Sequence, residues 1–124
     1  MKELLLIGFG GFIGSISRYY ISKINLLVDF FSIPLGTLLV NILGSLLLGF
    51  LTGIAERSVL MNLELRLFLM IGLCGGFTTF SSFTGENLML MRNGQFLTVA
   101  IYSALSIFFG FLAVYLGYIS TKLL

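Results

Sequence analysis

The chain has 124 residues, 58% of them hydrophobic and 10% charged, with a mean hydropathy of +1.11 and a net charge of +2. That balance lies far outside the range of soluble domains and makes the chain an integral membrane protein with no expected nucleic-acid partner. With no histidine and a single cysteine, Cys74, it has no internal disulfide and too little material for a transition-metal site or a Cys/His nucleophile pair.

The first apolar stretch, Leu4 to Ser17, ends at Arg18. A spanning helix needs about 20 residues, so this stretch reaches length if Arg18 snorkels at its end, giving a helix over 3–24. It has no small-x-small cleavage site behind its apolar core, and its glycines recur as packing residues do, so it reads as a helix and not as a secretory signal. Lys23 to Ser32 carries Asn25, Asp29 and Ser32 ahead of the only proline, Pro34. This predicts a loop, then a second helix over 33–55 with Pro34 in its first turn. Glu56 to about Arg66 is the second loop, and the third helix follows over 65–91. Met91 to Gln95, with Asn93 and Gly94, predicts a short turn into a fourth helix over 95–122, antiparallel to the third. The whole chain, 1–124, reads as one all-α unit of four spans, with no soluble domain and no tandem repeat.

Alternating spans put Lys2, Arg57, Arg66 and Lys122 on one side and Arg18, Lys23 and Arg92 on the other. Four against three is almost no bias. Lys/Arg asymmetry normally sets orientation, so such a chain is open to insertion both ways, unless one or two loop residues decide it. Small residues step by four at Gly10 and Gly14 and again at Ser45, Gly49 and Gly53. Such ladders bring helices close, either inside a bundle or at a dimer seam. Four helices leave little interior for an aqueous pore, so a transport path is expected between copies, and oligomerisation with it.

The densest polar signal runs from Gly72 to Gly85, where glycines, Thr78, Thr79, Ser81, Ser82 and Thr84 alternate with Phe77, Phe80 and Phe83. Glycine loosens a helix and hydroxyls replace lost backbone partners, so this is the first candidate for the working site. Asn41 lies mid-span in helix two, where an amide needs either a neighbouring helix or a solute. Phe80 and Phe83 share a face, and Tyr102, Ser106 and Gly110 form a stripe on helix four beside Ser103. Taken singly, these residues fit helix glue, core packing and hydroxyls bonded to the preceding turn. Taken together they offer neutral donors and aromatic edges with no fixed cation, a lining suited to a small dehydrated anion. No acid, base or activated nucleophile is arranged for catalysis, so enzymatic function is not expected.

Three blocks, Gly10-Gly11-Phe12-Ile13-Gly14-Ser15-Ile16-Ser17-Arg18-Tyr19, Gly36-Thr37-Leu38-Leu39-Val40-Asn41-Ile42-Leu43-Gly44 and Gly72-Leu73-Cys74-Gly75-Gly76-Phe77-Thr78-Thr79-Phe80-Ser81-Ser82-Phe83, resemble in order the signature blocks of the Fluc/CrcB fluoride channels. The resemblance implies an antiparallel, dual-topology homodimer in the inner (plasma) membrane. Two pores at its interface would pass fluoride passively out of the cell and confer fluoride resistance. It implies a fluoride pathway of Thr37, Asn41, Phe80, Ser81, Phe83, Thr84, Tyr102 and Ser106, with Arg18 near a vestibule. It also implies a break in helix three near 75–79, where backbone carbonyls of Gly75 and Thr78 from both subunits would hold one structural sodium ion at the dimer centre. Ser15 stands where alanine is common in the family, Gly110 where some members carry another hydroxyl, and Glu86 at a common acidic position. Two other readings are a small dual-topology cation or drug antiporter, which needs a deep titrating carboxylate that helix one lacks after Glu3, and a non-conducting assembly subunit.

Overall fold

The fold is that of a computed structural model describing all residues, Met1–Leu124. It is all-helical: α1 (Lys2–Ser22), α2 (Ile24–Leu27), α3 (Leu35–Arg57), α4 (Leu63–Leu65), a π-helical stretch (Arg66–Cys74), α5 (Gly75–Phe77), α6 (Phe80–Arg92), α7 (Phe96–Ser120) and a closing 3-10 turn (Thr121–Leu123). These combine into four helical segments long and apolar enough to cross a membrane, Lys2–Leu27, Leu35–Arg57, Leu63–Arg92 and Phe96–Leu123.

Several boundaries differ from those the sequence suggests. α1 stops at Ser22 and the chain turns at Lys23 into the short α2, so the expected first loop is partly helical. The loop then folds on itself: Ser32 N–H donates to Asp29 Oδ1 at 3.0 Å, and Phe31 and Ser32 take left-handed dihedrals with φ of 52° and 62°. Pro34 lies one residue before α3 and does not enter its first turn. The cap comes from a distance, because Asn25 Oδ1 accepts from Gly36 N–H at 2.6 Å and from Thr37 N–H at 3.3 Å. The second loop is shorter than expected, since α3 runs on to Arg57 and Asn62 caps the next helix by accepting Leu65 N–H at 2.9 Å. The π-helical winding of Arg66–Cys74 has no counterpart in the sequence reading.

Two pairs of spans run parallel. On the first, a Cβ at Gly10 would strike the backbone of Phe68 and Leu73, and one at Gly14 the backbone of Leu73 and Phe77. Gly72 and Gly76 answer from the other side, facing the backbone of Ile7, Gly10 and Gly11. On the second pair, Gly49 meets the backbone of Val114 and Tyr118, Gly117 that of Leu46 and Phe50, and Gly53 the side chain of Thr121. The glycine ladders therefore close helix seams inside the chain. Only 19 residues are buried, so most of the apolar surface must be covered by lipid or by another copy. Cys74 lies in one of the small cores, with Leu51 and Met61, as a packing residue.

Charged and polar groups tie the helices at one end. Lys2 pairs with Glu64 at 2.5 Å, Tyr118 O–H donates to Glu56 Oε2 at 2.7 Å, and Arg57 Nη1 donates to the Thr121 carbonyl at 3.0 Å. The Lys2–Glu64 pair is exposed on both sides, so Lys2→Ala is expected to change stability by less than about 1 kcal/mol, read as a thermal shift in detergent.

Candidate functional site

The third span is interrupted where its sequence is richest in glycine and threonine. Helical bonding stops at Phe77, Thr78 and Thr79 take extended dihedrals (ψ of 156° and 120°), and α6 begins at Phe80. The local cause is chemical. Gly75 and Gly76 weaken the preceding turn, while Thr79 caps α6 by accepting Ser82 N–H at 3.1 Å. Across the gap, Asn41 from α3 clamps the extended backbone with both ends of its amide. Thr79 N–H donates to Asn41 Oδ1 at 2.8 Å, and Asn41 Nδ2 donates to the Thr79 carbonyl at 3.1 Å.

The carbonyls left at the end of the preceding half-helix go different ways. Cys74 accepts both the amide and the hydroxyl of Thr78, at 3.0 and 2.9 Å. Gly76 accepts Arg18 Nε at 3.0 Å, so the guanidinium is fastened to the helix end beside the gap. The Thr79 amide, which a continuous helix would return to Gly75, is held by Asn41 instead. Gly75 has open space where a side chain would be, and no cluster of acidic, histidine or cysteine ligands exists anywhere in the chain. Any cation here would therefore rest on backbone carbonyls, and the donor chemistry of Gly75 and Thr78 fits a hard cation such as sodium.

An open groove of about 400 Å³ runs beside the gap, lined among others by Asn41, Thr79, Phe80, Phe83 and Ser106 and by no charged side chain. Gly75, Thr78 and Gly110 border it too. The Phe80 and Phe83 rings lie 5.9 Å apart, and Phe80 is 77% exposed in the single chain. Ser106 Oγ is buried without a protein partner, in a residue that borders the groove. Ser81 and Thr84 are exposed and do not line this groove. Thr84 Oγ1 donates back to the Ser81 carbonyl at 3.1 Å, while Ser81 Oγ lies 3.4 Å from Thr79 Oγ1.

Thr37 and Tyr102 lie one step further along, almost wholly buried. The Tyr102 ring meets Phe83 edge-on at 5.0 Å, which links them to the groove. Both hydroxyls are engaged by Glu86: Thr37 Oγ1 donates to Oε2 at 2.9 Å and Tyr102 O–H to Oε1 at 3.4 Å. Asn25 Nδ2 adds a third donor to Oε2 at 3.3 Å. Sequence reading placed Asn25 in a loop and gave it no further part. Its only local signal is an Asn shortly before a helix that Pro34 cannot cap.

The family model described as CrcB-like protein, camphor resistance (CrcB), matches residues 5–118. Among relatives, the chain is 44% identical over 120 residues to a fluoride-specific ion channel FluC of Chlorobium chlorochromatii, covering 97% of this chain and 92% of that protein. It is 39% identical over 122 residues to one from Azobacteroides pseudotrichonymphae, covering 98% of each. A third, from Campylobacter jejuni, is 44% identical over 124 residues, covering 98% of this chain and 99% of that protein. With a match that leaves out only the two termini and relatives this similar over nearly their whole length, the chain belongs to the CrcB family.

Proposed function

We propose that the protein is a fluoride-selective passive channel that lets cytoplasmic fluoride leave down its electrochemical gradient. The single observation that carries this reading is the uncharged groove: the amide of Asn41, the unpartnered hydroxyl of Ser106 and the rings of Phe80 and Phe83 border one space. A ring edge and an N–H or O–H each favour a small anion without trapping it, as conduction through weak sites requires. The start of α6 at Phe80 adds the partial positive charge of a helix N-terminus. The names of the relatives point to the same ion.

Hydrogen fluoride crosses membranes as a neutral acid and dissociates inside, where the anion is trapped. An inside-negative potential drives each negative charge outward by about 2.3 kcal/mol per 100 mV, so no fuel or coupled ion is needed. Along the path, Thr37 and Tyr102 are held by the Glu86 carboxylate, itself an anion on two hydroxyl donors. Fluoride arriving from the groove competes with that carboxylate for the same two hydroxyl donors.

The working unit in this reading is an antiparallel homodimer inserted both ways in the plasma membrane, with two pores between subunits. The near-equal charge on the two sides and the exposure of Phe80 support it, since a pore-lining ring needs a covering surface. A sodium ion on the Gly75 and Thr78 carbonyls of both subunits would neutralise converging half-helix ends and hold the dimer centre together. Arg18, anchored on Gly76, would raise the local potential for anions without entering the path.

The test is efflux from liposomes loaded with fluoride or chloride, with a potassium gradient, valinomycin and an ion-selective electrode. Fluoride release without chloride release is expected. Verified, folded protein that releases neither ion removes the channel reading and favours the antiporter, whose proton-coupled cation transport should then depend on Glu86. Phe83→Ile keeps an apolar side chain but loses the aromatic ring that borders the groove and packs against Tyr102. It is expected to slow fluoride efflux about tenfold with little change in the protein's elution profile.

A further inference from the structure

Asn25 lies in α2, in the loop between the first two spans, yet its amide makes four hydrogen bonds to groups of the second and third spans. Oδ1 accepts the backbone N–H groups of Gly36 and Thr37, and Nδ2 donates to Thr37 Oγ1 at 3.1 Å and to Glu86 Oε2 at 3.3 Å. The approach depends on glycine, because a Cβ at Gly36 would lie 2.9 Å from Asn25 Oδ1 and from the Ile21 carbonyl. Which end of the amide is oxygen is fixed by its partners: two backbone N–H groups can only donate, so they require Oδ1. The planar group then aims Nδ2 at Thr37 and Glu86.

This has a consequence for Thr37. A hydroxyl has one proton and can point it several ways. Nδ2 arrives as a donor, so the Thr37 oxygen must accept on that side and send its only proton elsewhere, toward the 2.9 Å contact with Glu86 Oε2. Resting on the channel reading above, we infer that Asn25 is a positioning residue of the anion path. Pinned by the amides of Gly36 and Thr37, it makes the Thr37 hydroxyl an obligatory donor toward whatever anion sits there, the Glu86 carboxylate at rest and fluoride in passage. It touches the path through Thr37, and it sets the donor polarity of the end of the track that Asn41 does not reach.

Asn25→Asp separates this role from simple helix capping. One carboxylate oxygen still accepts from Gly36 and Thr37, so the cap of α3 survives. The other now accepts where Nδ2 donated, which draws the Thr37 proton to itself and away from the path; because it also faces Glu86 Oε2, each variant is compared with its parent in the Glu86→Gln background too, where no carboxylate repulsion adds to the loss. In the liposome assay N25D is expected to elute as the wild type does and to release fluoride about tenfold more slowly. Thr37→Val should slow efflux to a similar degree, and the double variant N25D/T37V should be no slower than either alone, because both remove the same donor. Efflux by N25D within about twofold of wild type, or losses that multiply in the double variant, would overturn the inference and leave Asn25 as a cap. If N25D does not fold, Asn25→Ser takes its place: it removes Nδ2 from Thr37, and the same two outcomes decide. Wild-type protein that releases no fluoride overturns the channel reading itself, a result distinct from a conducting wild type matched by its variant.

Discussion

Asn41→Ala is expected to cut fluoride efflux by about a hundredfold, the equivalent of about 2.7 kcal/mol in the barrier. The side chain does two things at once. Its amide holds the extended Thr79 backbone from both sides, at 2.8 and 3.1 Å, and it borders the groove with a second N–H that those contacts do not use. Alanine leaves the Thr79 amide and carbonyl unpaired in an apolar setting, at about 2–3 kcal/mol, and takes the donor out of the path. Asn41→Asp divides the two effects. It keeps the acceptor for the Thr79 N–H but sets a carboxyl oxygen against the Thr79 carbonyl, so the gap keeps one of its two bonds while the path loses its donor. A thermal midpoint well above that of Asn41→Ala with efflux lost in N41D assigns Asn41 to the path. Wild-type efflux in N41D reduces Asn41 to the glue that the sequence also allowed.

The second large effect is on folding. Gly49→Val and Gly117→Val are each expected to destabilise the chain by about 3 kcal/mol, because the added carbons meet main chain and not a side-chain tip that could turn aside. Gly49 faces the backbone of Val114 and Tyr118, and Gly117 faces that of Leu46 and Phe50, so the two sites press the same pair of helices from opposite sides. A substitution at either has to separate the second and fourth spans, whose other contacts carry Asn41 and Ser106 into one groove. Gly85→Ala and Gly110→Ala are the controls. Neither has an atom within 4 Å of the new carbon, and alanine favours a helix over glycine by about 0.8–1.0 kcal/mol. Thermal unfolding in one detergent should show the valine variants far below wild type and the alanine variants at or above it. Equal losses in both groups would remove the close-packed seam as the reason for these glycines.

The glycine steps were legible because their spacing is a property of one helix: residues four apart share a face wherever that helix goes. What spacing left open was the partner. Gly10 and Gly14 fitted a dimer seam as well as an internal one, and the seam with Gly72 and Gly76 is internal. The same limit applied to Thr37 and Tyr102. Tyr102 could be picked out from its stripe on helix four and Thr37 only through the family resemblance, and nothing in their own segments indicated that Glu86 holds both hydroxyls. Asn25 was missed outright, because a loop asparagine is ordinary and its importance depends on a helix start eleven residues away and a carboxylate sixty-one residues away. The π-helical winding was invisible for a different reason: Arg66–Cys74 is almost uniformly apolar after its first residue, so it has no polar face whose spacing could reveal the period.

By itself, the sequence determined the membrane class, the four apolar spans, the short turn between the third and fourth, the glycine faces and the polar segment around Thr78 and Thr79. Each of these follows from hydropathy, spacing or turn chemistry within a few residues, where the covalent chain already sets the geometry. Only the tertiary structure decided that the first span lies along the third and the second along the fourth, that Asn41 clamps Thr79, that Arg18 caps Gly76, and that Asn25, Thr37 and Tyr102 converge on Glu86. Such contacts join groups 38, 58 and 61 residues apart. Which donor meets which acceptor at that range depends on where whole helices cross, and that is set by how closely their glycine faces allow the backbones to approach.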